Sequence, residues 1–288
     1  MIHKAVLVNE VLEYLDPKPG EIIVDCTVGQ AGHTLEILKK IAPTGKVIGI
    51  DADAEQIEHV KEHTKRFQER VILEHDSYAN IKSILQKHGI EKVQGILLDL
   101  GFSSWQLEDA GRGFSFLKDE PLDMQYGKAR GISAAEIINQ WPEEELRRIF
   151  EEYGEEKFAR KIAKKITEER RRKEFTTTFE LKQLIESVVP RREKIHPATR
   201  VFQALRIAAN RELENLKIVL PQAVEVLAPK GRLVVISFHS LEDRIAKQFF
   251  QETRGIEILT KKPIEASAQE VAENPRSRSA KLRAIEKI

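Results

Sequence analysis

Four short apolar runs, each with an aspartate at or near its end, punctuate the first hundred residues: EIIVDCT (21–27), GKVIGIDAD (45–53), VILEHDSY (71–78) and VQGILLDLG (93–101). Runs of Ile, Val and Leu this short, with little polar alternation, are the pattern of strands buried on both faces. Between them the period changes. HTLEILKKIA places Leu35, Leu38 and Ile41 at helical spacing, with Pro43 and Gly45 as stops, and AEQIEHVKEHTKRF and IKSILQKHG read as the next two helices. Strands alternating with helices predict βαβ units, right-handed crossovers and a parallel sheet.

The alternation then breaks. From about Arg112 to about Leu205 the pattern is helical only: WPEEELRRIFEEYG, KFARKIAKKI, and TTFELKQLIESVV with a T-x-x-E capping box at Thr177 and Glu180. A long helix around NRELENLKIVLPQAVEVLAP and a fifth strand, KGRLVVISF (230–238), restore the α/β pattern. After the helix EDRIAKQFFQE, the segments IEILTKK and AKLRAIEKI read as a closing hairpin. The expectation is a Rossmann-like α/β domain, 1–111 with 206–288, carrying an inserted helical domain, 112–205.

In an open α/β sheet, ligands bind outside the carboxyl ends of the strands. Those ends carry Asp25 with a loop containing Gly29 and Gly32, then Asp51 and Asp53, Asp76 to Tyr78, Asp99, and Phe238 with His239. An acid at the end of the second strand can accept from both hydroxyls of a ribose diol. NAD enzymes and S-adenosylmethionine enzymes share that device. The first loop separates them: VDCTVGQAGH (24–33) is neither a dinucleotide fingerprint nor a phosphate loop, and it holds no Lys or Arg. A cationic sulfonium ligand suits it better than a pyrophosphate. Asp25 could instead cap a turn, His33 could be an ordinary first-turn residue, and Tyr78 could be core rather than a surface for an adenine.

Composition narrows the class. The single cysteine, Cys26, excludes an internal disulfide framework and a cysteine-rich zinc site, so no metal is expected. No apolar run approaches the roughly 20 residues that span a bilayer, and the N-terminus lacks a signal-peptide pattern, so a cytoplasmic protein with no membrane partner is expected. A net charge of +1 hides two basic segments. Lys157 to Lys173 holds nine Lys/Arg against Glu168 and Glu169; the tail from Asn274 holds five against Glu286. Each alone reads equally as a solvated face, but together they point to a polyanion partner.

The stretch DLGFSSWQLEDAGRGFSFLKDEPLDMQYG (99–127) resembles the signature of the bacterial 16S rRNA cytosine-N4 methyltransferases, the RsmH or MraW family. HKAVLVNEVL (3–12), HPATRVFQALRIAANREL (196–213), SFHSLEDR (237–244) and NPRSRSAKLR (274–283) are similar to the same family, in the same order along nearly the whole chain. Two positions depart from its pattern: Ala31 stands where a glycine is usual, and Gln125 where an arginine is.

The resemblance implies methyl transfer from S-adenosylmethionine to the exocyclic amine of a cytosine, position 1402 in the decoding region of 16S rRNA, within the small ribosomal subunit. It places cofactor contacts on Ala31, Gly32, His33, Asp51, Tyr78, Asp99 and Gln106; the loop reading adds Asp25 and Gly29. The chemistry itself separates two targets. Methylation at cytosine C5 needs a cysteine nucleophile, whereas an exocyclic amine needs orientation and an acceptor for its proton. Asp99, with the hydroxyl of Ser103, is placed for that acceptor role. A cytosine inside folded RNA must also be turned out of its stack. Phe238 is expected to stack on it, His239 to line its site, and Arg276 and Arg278, two apart and so on one side of an extended segment, to hold flanking phosphates.

Overall fold

The computed structural model describes residues 5–102, 106, 111–127, 131–190 and 196–288; Ser103 lies outside them. The chain forms two compact units, one running to Gly101 and resuming at Leu213, the other Phe102–Glu212.

The first unit is an eight-stranded sheet: β1 (Ile22–Asp25), β2 (Lys46–Asp51), β3 (Val71–His75), β4 (Val93–Asp99), β5 (Leu227–Ser237), β6 (Ile256–Ile258), β7 (Ile264–Glu265) and β8 (Lys281–Lys287). The order is β3-β2-β1-β4-β5-β8-β6, with β7 paired to β8. β1 to β5 are parallel, and β8 is antiparallel to β5, β6 and β7. The expected antiparallel pair at the C-terminus exists, but it is not a simple hairpin. β8 is inserted between β5 and β6, and 22 residues containing β7 and a short helix separate the two partners. Period-2 patterning cannot tell an edge strand from an inserted one.

Both sheet faces are covered, which is why the strands read as continuous apolar runs. Val24, Ile48, Ile96, Leu98 and Val235 pack on one face with α4 (Ile81–Lys87), the helix α10 (Glu212–Val226) and α11 (Ser240–Glu252). Their neighbours Ile23, Val47, Leu97 and Val234 pack on the other, with α1 (Val8–Leu15) and α2 (Gly32–Lys40). α3 (Ala54–Thr64) buries Ile57 and Val60 against Val28 and Ala31 of the first loop.

Among the described residues, the second unit packs five helices around Phe150, Ile149, Ile162 and Leu205: α5 (Ala134–Gln140), α6 (Glu143–Glu152), α7 (Ala159–Glu169), α8 (Thr178–Val188) and α9 (Ala198–Asn210). Capping boxes open α5 (Ser133, Glu136) and α8 (Thr177, Glu180). This unit extends to Glu212 because α9 sends Val201, Phe202 and Leu205 into the helical core. Among the described residues, no helix is long and apolar enough to cross a membrane.

Candidate active site

The strand order reverses beside β1: β2 and β3 extend to one side and β4 to the other, so a crevice opens between the carboxyl ends of β1 and β4. Asp25 ends one strand and Asp99 the other.

Asp25 lies beneath the crevice. It is 1% exposed. Its carboxylate accepts from Thr34 Oγ1 at 2.6 Å and from the Thr27 amide at 3.3 Å. Burial nevertheless pushes its pKa up, against the Thr34 hydrogen bond. Thr27 also accepts, through Oγ1 at 2.8 Å, from the Asp99 amide. Thr27 and Thr34 therefore tie the two strand ends to the loop. Sequence reasoning missed both; for Thr27 the signal was a hydroxyl residue two positions after a strand-end aspartate, the spacing of a local side-chain turn, and Thr34, nine positions on, offered none.

Asp51 is organised from two sides. The Gly29 amide donates to its Oδ2 and the Asp53 amide to its Oδ1, each at 2.9 Å. Gly29 sits at φ +48°, in the left-handed region that glycine adopts without steric cost, and that conformation accompanies its amide's bond to Asp51. Asp53 in turn caps α3, accepting from the Glu55 amide. Asp51 is half-buried, and desolvation of its carboxyl pushes its pKa up to about 7 despite the two hydrogen bonds.

The loop closes onto α2. Ala31, at the helix N-cap, is in the left-handed region (φ +64°) with no side-chain acceptor to offer. A glycine there would be relaxed; alanine bears a strain of roughly 1–2 kcal/mol and in return buries its methyl against Val28 and Ile57. Gly32 is required by close approach, since a Cβ would stand 2.8 Å from that of Ala5. The first-turn amides of α2 thus open the helix without an N-cap side chain, a setting suited to a carboxylate.

His33, in that first turn, is 6% exposed and places Nε2 3.5 Å from Asp99 Oδ2. Burial works against a charged ring, but the carboxylates of Asp99 and Asp25, with Glu270, outweigh it and raise the His33 pKa. His33 Nε2 and Asp99 Oδ1 are buried without a hydrogen-bond partner among the described residues.

Tyr78 is half-buried at the start of a short 3₁₀ turn (Tyr78–Asn80) beyond β3. Gln106 is buried in the second unit. No Lys or Arg occurs in 25–34, 51–54, 76–80 or 99–102. The donor set is therefore carboxylates, amides and one imidazole. It fits a ribose diol, a carboxylate tail at the α2 amides and a cationic centre, and it does not fit a pyrophosphate.

A model described as the MraW methylase family matches residues 1–288. The chain belongs to that family. It is 50% identical over 292 residues to ribosomal RNA small subunit methyltransferase H of Thermotoga neapolitana, covering 99% of this chain and 96% of that one. It is 47% identical over 307 residues to the protein of the same name from Syntrophotalea carbinolica, covering 99% and 98%. The solved structure of PH0851 shares the fold, with a TM-score of 0.51 at 16% identity over 100% of this chain and 47% of that one.

One expectation for the family's other motifs, the placement of Arg276 and Arg278, needs correction, and His239 and Gln125 have local settings the sequence did not show. His239 is the N-cap of α11, its Nδ1 accepting from the Glu242 amide at 3.4 Å, while Glu242 Oε2 accepts from the Phe238 amide at 2.9 Å. A histidine replaces the usual hydroxyl cap, so the sequence did not flag it. Arg276 and Arg278 do not lie on one side of an extended segment. Pro275–Ser279 is a 3₁₀ turn, in which positions two apart diverge by about 120°. Arg278 is exposed and Arg276 half-buried. Of the other tail cations, Arg283 is 7% exposed and bidentate to Asp243, and Lys287 caps the backbone carbonyls of Val224 and Leu227. Gln125 needs no arginine to hold its loop, since the loop is fixed through backbone: Arg112 donates to Tyr126 O, and Asn210 bridges Met124 O and the Tyr126 amide.

Proposed function

We propose that the chain transfers a methyl group from S-adenosylmethionine to the exocyclic N4 amine of a cytosine in the decoding region of 16S rRNA. The observation that carries this reading is the crevice itself, acidic and with no Lys or Arg in its strand-end segments, in a chain half identical to proteins named ribosomal RNA small subunit methyltransferases. The cofactor supplies an electrophilic methyl group. Asp51 accepts from the ribose hydroxyls, and the amides of Gly32 and His33 receive the carboxylate tail. Tyr78 packs on the adenine, Asp25 positions the loop from below, and Asp99 accepts the proton of the target amine.

Amine methylation is favoured over C5 by the state of Cys26. It is 1% exposed, and burial followed by the charge of Asp25 pushes its thiol well above the usual range. A buried thiol held protonated does not add to a pyrimidine ring. The deciding experiment is labelled-methyl transfer to bare 16S rRNA and to 30S particles, with mass mapping of the product. A methyl on C5, or none on either substrate, overturns the proposal.

The desolvated carboxyl of Asp51 makes cofactor binding pH-dependent. Ribose hydroxyls donate to the ionised form, so binding draws off its proton, and affinity rises with pH until the free carboxyl is ionised. 5′-Methylthioadenosine, which lacks the titrating tail, should bind up to about tenfold tighter per pH unit approaching 7 and level off above it. A flat calorimetric profile from pH 5.5 to 8 would detach Asp51 from the diol.

The helical unit is assigned to RNA, through α7 and the cations after it. Arg170 is not among the contacts, since it donates to the Ile138 and Trp141 carbonyls. Lys164 and Lys165 pair with Glu168 and Glu169 within one exposed helix face, pairs weak enough for phosphate to displace. Replacing Lys161, Lys164 and Lys165 by Gln should flatten the salt dependence of RNA binding by just under one unit of slope per lost contact, with cofactor affinity unmoved. An unchanged slope makes the run a solvated face.

The NPRSRS turn is assigned to the substrate as well. It leads into β8 where Lys281 pairs with Ser237, one position past the Asp99–Ile236 register, so it lies at the crevice end of the sheet. With the arginines diverging, Arg278→Ala should carry most of the loss in transfer to 30S particles, and Arg276→Ala less. Equal transfer by Arg278→Ala and wild type would remove the turn from the RNA face.

A further inference from the structure

His33 and Asp99 are paired in a way the cofactor contacts alone do not require. The ring and the carboxylate approach to 3.5 Å, and each keeps one buried polar atom without a partner among the described residues. Among the described residues, the charged groups acting on the ring are acids on three elements: Asp99 on β4, Asp25 on β1 and Glu270 on the short helix α12 (Ala268–Glu273). An imidazole so surrounded holds a proton well. A unit positive charge roughly 6 Å away, at an effective dielectric near 20, would weaken that hold about a hundredfold. A sulfonium carries such a charge; the sulfide left after transfer does not.

We propose that His33 is a proton store keyed to the charge of the cofactor: it carries a proton when the crevice is empty or holds the neutral sulfide, and has given it up when a sulfonium is bound. This rests on the cofactor reading above. The balance closes within the site. The N4 lone pair forms the new N–C bond, the S–C bonding pair returns to sulfur, and the cationic amine must lose one proton. That proton passes to the Asp99 carboxylate and on to the free lone pair of His33 Nε2. Positive charge lost at sulfur reappears on His33, so the crevice keeps its total charge. The proton returns to solvent when the next sulfonium binds.

Calorimetry in buffers of different ionisation enthalpy counts protons released on binding, with no RNA present and so no turnover. At pH 7, S-adenosylmethionine should release more protons than S-adenosylhomocysteine, by a difference approaching one. Ionisation of Asp51 accompanies both ligands and cancels. His33→Gln should reduce the difference to what the ligands' own tail amines contribute, which is common to both proteins. Should His33→Gln fail to fold, the wild-type protein still decides. Of its eight histidine rings, one should change in ¹⁵N NMR from imidazolium with the homocysteine ligand to neutral with the methionine ligand. Equal proton counts for the two ligands, or no ring that changes, overturn the proposal. Failure of both ligands to bind would overturn the cofactor assignment instead.

Discussion

Asp99→Asn should lower methyl transfer to 30S particles by about 100- to 10,000-fold, the range for loss of a positioned proton acceptor, while S-adenosylhomocysteine binds within a few-fold of wild type. Asparagine keeps the shape and one acceptor oxygen but cannot take a proton at neutral pH. The backbone of residue 99 is held independently of its side chain, by the bond from its amide to Thr27 Oγ1. The substitution should therefore leave the end of β4 in place. It also removes the carboxylate opposite His33, so the proton difference between the two cofactor forms should shrink with it. Single-turnover rates at saturating cofactor are the measurement. A loss confined to cofactor affinity would make Asp99 a ligand contact and move the acceptor role elsewhere.

How far the sequence led can be judged residue by residue. Continuous apolar runs and helical patterning located β1 to β5 and most of the helices that cover them, because both sheet faces are buried and the runs are unbroken. The acids at the strand ends followed from topology alone, since a parallel sheet delivers the carboxyl ends of its strands to one edge. What patterning could not supply was the third dimension of small polar groups. Thr27 and Thr34 look like any hydroxyl residues, yet both bond Asp25, and Thr27 joins it to Asp99. Asp25 could be read as a ligand contact or as a turn cap, and its bonds to Thr34 and Thr27 place it under the loop. The tail cations read as one basic patch, although Arg283 and Lys287 spend their charge on Asp243 and on helix carbonyls. Charge counting does not see partners that are distant in sequence. The helix Val8–Leu15 went unassigned because its eight residues offer too few turns for a period to show.

The same limits set what Asp51→Ala should reveal. Two hydrogen bonds to a charged acceptor are each worth roughly 1.5–3 kcal/mol. Water entering the vacated space returns part of that, so S-adenosylmethionine affinity should fall by at least about tenfold. A second effect runs through the loop. The Gly29 and Asp53 amides lose their acceptor, and Gly29 sits in a left-handed conformation with no other hydrogen bond from its amide among the described residues. Asp51→Asn separates the two contributions, because its amide oxygen can still accept from one backbone donor while the charge is gone. If the diol bonds dominate, both variants should weaken the cofactor to a similar degree, and both should lose the rise in 5′-methylthioadenosine affinity toward pH 7. If the loop dominates, Asp51→Asn should bind nearly as wild type while Asp51→Ala shows fast amide exchange at Gly29. A dissociation constant unchanged in both variants would assign Asp51 to structure alone, as the post that holds the glycine loop against β2.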